Sequence, residues 1–264
     1  MGGAPSLAEG MLLDPGRVLL LGEIHGTVES PAFVLETAQR IHREGNESLI
    51  ALQMLPDEQS RIDAYLASEG DDAARRELLA GEVWSAVVQS GVGSRAMFEL
   101  IEGLRQLRAD GAALSVVAFD EPLSELGDSE RRDEAMARRL LEATTNRPEA
   151  VMLVLTGNQH SRVRRGRGKQ RNFRTMGWQL SQMIRDNRVV GVDVAHHGGQ
   201  AWSCDGETAD SCGVREMKPR GPKDGEWITL YGRIDLTKHH GWYYVGELHA
   251  SPPARQSLAS VDTP

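Results

Sequence analysis

Apolar residues fall into two alternating patterns along this chain. Short runs without helical period are separated by longer stretches in which apolar positions recur every three or four residues, as expected for buried strands crossed by amphipathic helices. The runs are Arg17–Leu21 (RVLLL), Ser48–Met54 (SLIALQM), Leu114–Phe119 (LSVVAF), Ala150–Thr156 (AVMLVLT) and Arg188–Val194 (RVVGVDV). After the first, Phe33, Val34, Ala38 and Ile41 share a helical face; Ser30 is the predicted N-cap, Pro31 the first helical residue and Gly45 the stop. From Asp57 to Asp110 only helices are predicted, the longest over Ala96–Arg108, and two more follow at Ser129–Ala143 and Thr175–Arg185. Trp227–Leu236 and Gly241–Leu248 read as an antiparallel hairpin around Thr237-Lys238-His239-His240.

The expectation is an α/β fold with a central, mostly parallel sheet and helices on both faces. A single domain spans 17–249, with a helical insertion at 57–112, an N-terminal extension at 1–16 and a disordered Ser/Pro/Ala-rich tail at 250–264. The insertion is either a lid over the strand ends or crossover helices that cover the sheet.

Composition narrows the class. A chain of 264 residues with 40% hydrophobic and 26% charged content has the profile of a soluble globular protein. No apolar run approaches the length of a membrane span. The formal charge of −8 argues against a protein dedicated to nucleic-acid backbones. The opening residues have neither a basic start nor an apolar stretch, so no signal peptide is visible, and exported and cytoplasmic locations both stay open. The two cysteines, Cys204 and Cys212, share a polar loop; they are either a local disulfide or two thiols.

The chemistry gathers at strand ends. The first strand runs into Gly22-Glu23-Ile24-His25 and the fourth into Gly157-Asn158-Gln159-His160, both Gly-x-x-His. In a parallel sheet such tips share one rim, where ligands bind in open α/β folds. Glu23, His25, Gln53, Asp120 and His160 would therefore converge. Imidazoles and carboxylates in one pocket serve either to hold a divalent transition metal or as acid and base without one.

On these motifs the chain resembles the superfamily that joins erythromycin esterases, the Tiki metalloproteases and ChaN-type haem-uptake proteins. Gly22–His25 and Gly157–His160 match its two histidine motifs, the second in the form seen in ChaN-like members. Arg132-Asp133 with Met136-Ala137, and Met176-Gly177 ahead of Leu180, fit as well. The resemblance implies a pocket at the strand tips with His25 as ligand or base and Glu23 and His160 beside it. One position departs: where the family carries Glu at the second strand's end, this chain has Gln53, which cannot act as a general base.

Arg162–Arg174 (RVRRGRGKQRNFR) carries seven basic residues among thirteen; it either receives an anionic group, through Arg162 and Arg164, or is a solvated loop. Asp133 suits a helix N-terminal dipole, and Arg132, which the dipole does not favour, is expected to reach a carboxylate or a substrate oxyanion. Asp120 is either a partner for a histidine or a local cap. His196-His197 and His239-His240 read as surface turns, and Met54, Met97 and Met136 as core filler.

The function expected is a hydrolase acting on an ester, lactone or amide in a small, anionic or ester-containing molecule. Its catalytic residues would be Glu23, His25, His160 and Arg132. Gln53, Asp120, Arg162 and Arg164 would contact substrate. In the metal-assisted form Glu23, His25 and His160 hold Mn, Co, Zn or Fe. The alternative is a non-catalytic haem- or iron-binding protein of the ChaN type.

Overall fold

The computed structural model describes residues 9–85, 91–206, 208–225, 227–231, 233–234 and 236–255. In chain order the elements are β1 (Val18–Glu23), α1 (Glu29–Arg43), β2 (Ser48–Leu52), α2 (Gln59–Leu66), α3 (Asp72–Leu79), α4 (Glu82–Ser85) and α5 (Arg95–Ala109). These are followed by β3 (Leu114–Ala118), α6 (Leu123–Leu126), α7 (Ser129–Asn146), β4 (Val151–Gly157), α8 (Met176–Met183), β5 (Val189–Cys204), β6 (Cys212–Met217), β7 (Ile228–Leu230) and β8 (Gly241–Leu248).

Eight strands form one sheet in the order β3-β2-β4-β1-β5-β8-β7, with β6 paired to β5 outside this path. Strands β1 to β5 are mutually parallel where they touch, β8 runs parallel to β5, and β7 and β6 are antiparallel additions. The central strands β1, β2 and β4 are buried on both faces, which is why their sequences run apolar without alternation. The open edge strand β3 is shielded by a side chain: Gln59 donates to Val116 O (3.0 Å) and accepts from Ala118 N (2.8 Å), standing in for a neighbouring strand.

Successive residues of β1 face opposite cores. Leu19 and Leu21 pack with Phe33, Val34 and Ile41 of α1 and with Met97, Ile101 and Leu104 of α5. Val18 and Leu20 pack with Met136 and Leu140 of α7 and with Met176 and Leu180 of α8. Burial of these side chains is the main favourable term for the fold, at roughly 1.5–3 kcal/mol for each large aliphatic group. The chain leaving β1 thus enters the layer on one face, and the chain leaving β4 enters the layer on the other. Because β1 and β4 are neighbours, the crevice outside their carboxyl ends is a topological switch point, the place where such sheets bind ligands.

Several local expectations change. Ser30 is not the N-cap: α1 begins at Glu29, and the Ser30 hydroxyl lies 2.9 Å from that of Tyr243, which also donates to Gly22 O at 3.1 Å. β5 does not stop at Val194 but runs to Cys204 and folds back as β6, and a disulfide between Cys204 and Cys212 closes the turn. His196-His197-Gly198-Gly199 interrupts the apolar pattern without interrupting the strand. His196, read as a surface turn, is 2% exposed, whereas His197 is exposed and its Nε2 donates to Lys223 O at 2.5 Å. The antiparallel pair at the C-terminal end forms, with its first strand limited to Ile228–Leu230. Leu12 and Leu13 of the extension are in the core. The expected tail is packed through Ala254: Ser251 N donates to Gly26 O (2.8 Å), Ala254 N donates to Gly93 O (3.0 Å), and residues 256–264 lie outside the described ones. Met54, Met97 and Met136 are core residues, as expected.

Candidate active site

The site is built from four strand tips. β1 and β4 pair in register up to Glu23 and Gly157, and each chain then turns. After β1, Gly26 adopts φ +77°, and a side chain there would drive into Trp202 O at 2.1 Å. The Gly26 carbonyl accepts from Trp202 N (2.9 Å) and Ser251 N (2.8 Å), so the His25 turn is fixed by β5 and by the C-terminal segment. After β4, the His160 turn closes with His160 N donating to Gly157 O (2.8 Å), and its carbonyl accepts from Gly177 N of α8 (2.8 Å).

The two histidines meet over Gly157. A methyl group on Gly157 would lie 3.0 Å from His25 Nε2 and 3.7 Å from His160 Cδ2. Each ring has its Nδ1 against a buried carboxylate: His25 Nδ1 is 2.9 Å from Glu23 Oε1, and His160 Nδ1 is 2.9 Å from Asp133 Oδ1. The carboxylates are 3% and 1% exposed, whereas the His25 side chain is 25% exposed. A carboxylate on Nδ1 fixes the tautomer with its proton on that nitrogen and leaves Nε2 as the working atom. Neither Nε2 has a hydrogen-bond partner among the described residues. Burial disfavours the His25 cation, but Glu23 at its Nδ1 outweighs this and holds the ionisation above the ordinary imidazole value.

Asp133 is the residue that sequence reasoning misassigned. It lies in the second turn of α7, whose N-cap is Asp128, so it does not serve the dipole. Instead Oδ1 takes His160 and Oδ2 accepts Met176 N at the start of α8 (2.8 Å), tying α7, α8 and the β4 turn together. Its preceding neighbour, Arg132, reaches a carboxylate as expected: Nε and Nη2 grip Asp120 at 2.9 and 2.6 Å, and Nε also reaches Glu121 O. Asp120 is therefore Arg132's partner and a cap for Glu121 N (2.7 Å), rather than a histidine's partner.

Gln53 extends the ladder between β2 and β4. Its Oε1 accepts from Thr156 Oγ1 (2.7 Å) and Gly157 N (2.8 Å), which fixes the amide's orientation and turns Nε2 to Asp120 Oδ2 at 3.5 Å. A glutamate here would set a second carboxylate against Asp120, so the amide suits this neighbourhood. Of the two basic residues expected at the site, Arg162 lines a cavity next to His160, and Arg164 is exposed and not among that cavity's lining residues.

Glu23 stands behind the His25 ring on Nδ1, and among the described residues no group of three His, Cys, Asp or Glu side chains is arranged to hold an ion.

A second imidazole cluster adjoins the site. Ser161 Oγ is 2.9 Å from His239 Nε2, and His239 Nδ1 is 3.8 Å from Asp193 Oδ2, which Arg220 grips at 2.5 Å. Ser161, His239 and Asp193 are all 0% exposed. Burial, with Arg162 and Arg220 nearby, pushes the His239 ionisation down to about 3, so this ring is neutral. His239-His240 is thus not a surface turn, and no periodicity marks it because it lies in a polar stretch between strands.

An open α/β sheet with a histidine–carboxylate crevice at its β1/β4 switch point is the class these features define. The sequence matches no family model and no curated protein. Among solved structures, a succinoglycan biosynthesis protein is similar, with a TM-score of 0.62 at 11% identity over 96% of this chain and 94% of that one. A variant of the erythromycin esterase EreC in its open conformation has a TM-score of 0.60 at 12% identity, covering 93% and 89%. A Bacillus cereus protein has a TM-score of 0.56 at 11% identity, covering 94% of each chain. The fold is the one that the resemblance in the histidine motifs implied.

Proposed function

We propose that the protein is a hydrolase of esters, lactones or amides that works by paired imidazoles without a bound metal. The observation that carries this reading is the meeting of two Nε2-presenting rings over Gly157, each backed by a buried carboxylate. His25 takes a proton from water as the oxygen attacks the substrate carbonyl, and Glu23 stabilises the resulting imidazolium. The His25 imidazolium then returns that proton to the leaving oxygen or nitrogen as the carbonyl bond to it breaks, and His160, held by Asp133, accepts a hydrogen bond from the attacking water at its Nε2. The Arg132 guanidinium, clamped by Asp120, has Nη1 without a hydrogen bond among the described residues and offers it to the developing oxyanion.

The test is turnover of aryl-ester and lactone panels by protein purified without chelator, then assayed with and without EDTA. Activity that survives EDTA and falls on the order of 100-fold or more in both His25→Ala and His160→Ala supports the reading. Activity that EDTA removes and a divalent ion restores overturns the metal-free form. A hemin titration with a Soret shift that His25→Ala abolishes, in a protein inert on every panel, would replace hydrolysis with haem binding.

A further inference from the structure

Beside His160 lies a cavity of about 1400 Å³ whose walls are the N-terminal turn of α7, Gln159 and the loop from Arg162 to Arg174. Its charge is one-sided. Arg131, Arg162, Arg167, Lys169, Arg171 and Arg174 line it, against Asp128 and Glu130. Both acids are already engaged: Asp128 accepts from Glu130 N and Arg131 N as the N-cap of α7, and Glu130 pairs with Arg174. Among the described residues the other five cations have no acidic partner within ion-pair distance. Arg167 stacks over Phe173, which fixes its direction. Arg162 donates a single hydrogen bond, to Gly166 O at 3.2 Å, and its Nε is buried without a partner.

Five unpaired cations around one hollow repel each other, and burial holds the Arg162 ionisation below its usual value. In a protein of formal charge −8 such a concentration is not a general surface property. Neither histidine lines the hollow, but its lining residues adjoin the His160 assembly along the chain. Arg131, Arg132 and Asp133 are consecutive on α7 and divide their work: Arg131 lines the hollow, Arg132 holds Asp120, and Asp133 holds His160. Gln159, also in the lining, directly precedes His160.

We infer that this hollow binds the oxyanion end of the substrate, a phosphoryl or clustered carboxylate group remote from the bond that is cleaved. Planar guanidinium groups suit such oxygens, which accept two parallel N–H donors from each. The inference rests on the hydrolase reading for its purpose but not for its test, because binding is measured without turnover. An acidic exterior around a basic hollow favours a small anion over a nucleic-acid strand.

The test is calorimetric titration of the full chain with sodium pyrophosphate, citrate and a short single-stranded oligonucleotide, each at matched ionic strength. Pyrophosphate or citrate binds with a Kd below about 1 mM, and Arg131→Ala/Arg171→Ala weakens it about tenfold or more. Both residues are exposed, so the double variant folds, which circular dichroism checks. Arg43→Ala/Arg138→Ala removes the same charge elsewhere and leaves the Kd within about twofold. Preference for pyrophosphate assigns a phosphoryl end, and preference for citrate a carboxylate one. Binding of neither anion, equal loss in both double variants, or tighter binding of the oligonucleotide overturns the inference. His25→Ala retains anion binding, so failure of the hydrolase reading is separable.

Discussion

Two carboxylate–imidazole sets lie side by side where β1 ends, Gly22 pairing with Asp193 one residue before Glu23, and they differ in almost every consequence. Glu23–His25 faces a crevice; Asp193–His239–Ser161 is sealed. The sealed set has the residue types of a nucleophilic triad, with the serine hydroxyl at hydrogen-bond distance from the ring. Two positive groups, Arg162 and Arg220, face its imidazole, whereas a carboxylate dominates the surroundings of His25. Residue identity and spacing therefore do not make a site. Solvent access and the sign of the neighbouring charge decide whether an imidazole can take a proton or only brace a turn.

The largest expected contrast comes from deleting each ring. His25→Ala should lower turnover on the order of 1000-fold and cost about 1–2 kcal/mol of stability, because the buried Glu23 loses its hydrogen-bond partner. His239→Ala should weigh on stability more than on turnover. It opens a cavity beside Ser161 and costs about 2–4 kcal/mol, with turnover of the remaining folded protein reduced less than tenfold. If a stably folded His239→Ala enzyme were inert, the sealed set would have to be counted as part of the chemistry.

Gly157→Ala tests the convergence itself. Its methyl sits 3.0 Å from His25 Nε2, so the substituent occupies the space where a reacting water must stand. Turnover should fall by about 100-fold with a stability change below about 1 kcal/mol, measured by parallel kinetics and denaturation. Unchanged turnover would mean that the bond is cleaved somewhere other than between the rings.

The pH responses of the two sets should oppose each other. His25 has a raised folded-state ionisation, so its contribution to stability is fully present below about 6.5 and is lost as pH rises through the folded value. Turnover needs the neutral ring, so its acid limb should be centred above about 6.5. His239 is depressed to about 3, so its contribution is present above about 6.5 and lost as pH falls toward 3. Urea midpoints from pH 7 to 5 should fall, and His239→Gln should flatten that fall. An acid limb centred at or below the free imidazole value would remove Glu23 from the scheme.

The smallest effect expected is at Gln53. Gln53→Glu keeps an acceptor for Gly157 N but puts a carboxylate 3.5 Å from Asp120 Oδ2, so the pair resists double ionisation. The urea midpoint should drop by about 1 kcal/mol at neutral pH and recover on mild acidification.

What is legible in the sequence here is whatever periodicity and strand ends encode. Glu23, His25 and His160 stand out because each follows a buried apolar run, and the order of runs places them on one rim. Asp133 does not stand out, because an acid near a helix start has an ordinary explanation and its true partner is 27 residues away. Gln53 reads as a lost carboxylate until Thr156, Gly157 and Asp120 are seen around it. His239 and Asp193 are hidden for another reason. A polar residue buried through partners on distant strands leaves no pattern along the chain, and the continuation of β5 past two histidines and two glycines shows the same blindness to long-range pairing.

The placement of β4 between β1 and β2 has a consequence for biogenesis. Two strands that emerge early from the ribosome cannot become neighbours; they must keep a slot for a segment made roughly 100 residues later, and contacts of such long range form slowly. No partial chain ending before that insertion carries both imidazoles, so the paired-ring crevice arrives together with closure of the sheet, and a truncated or stalled product lacks it by construction.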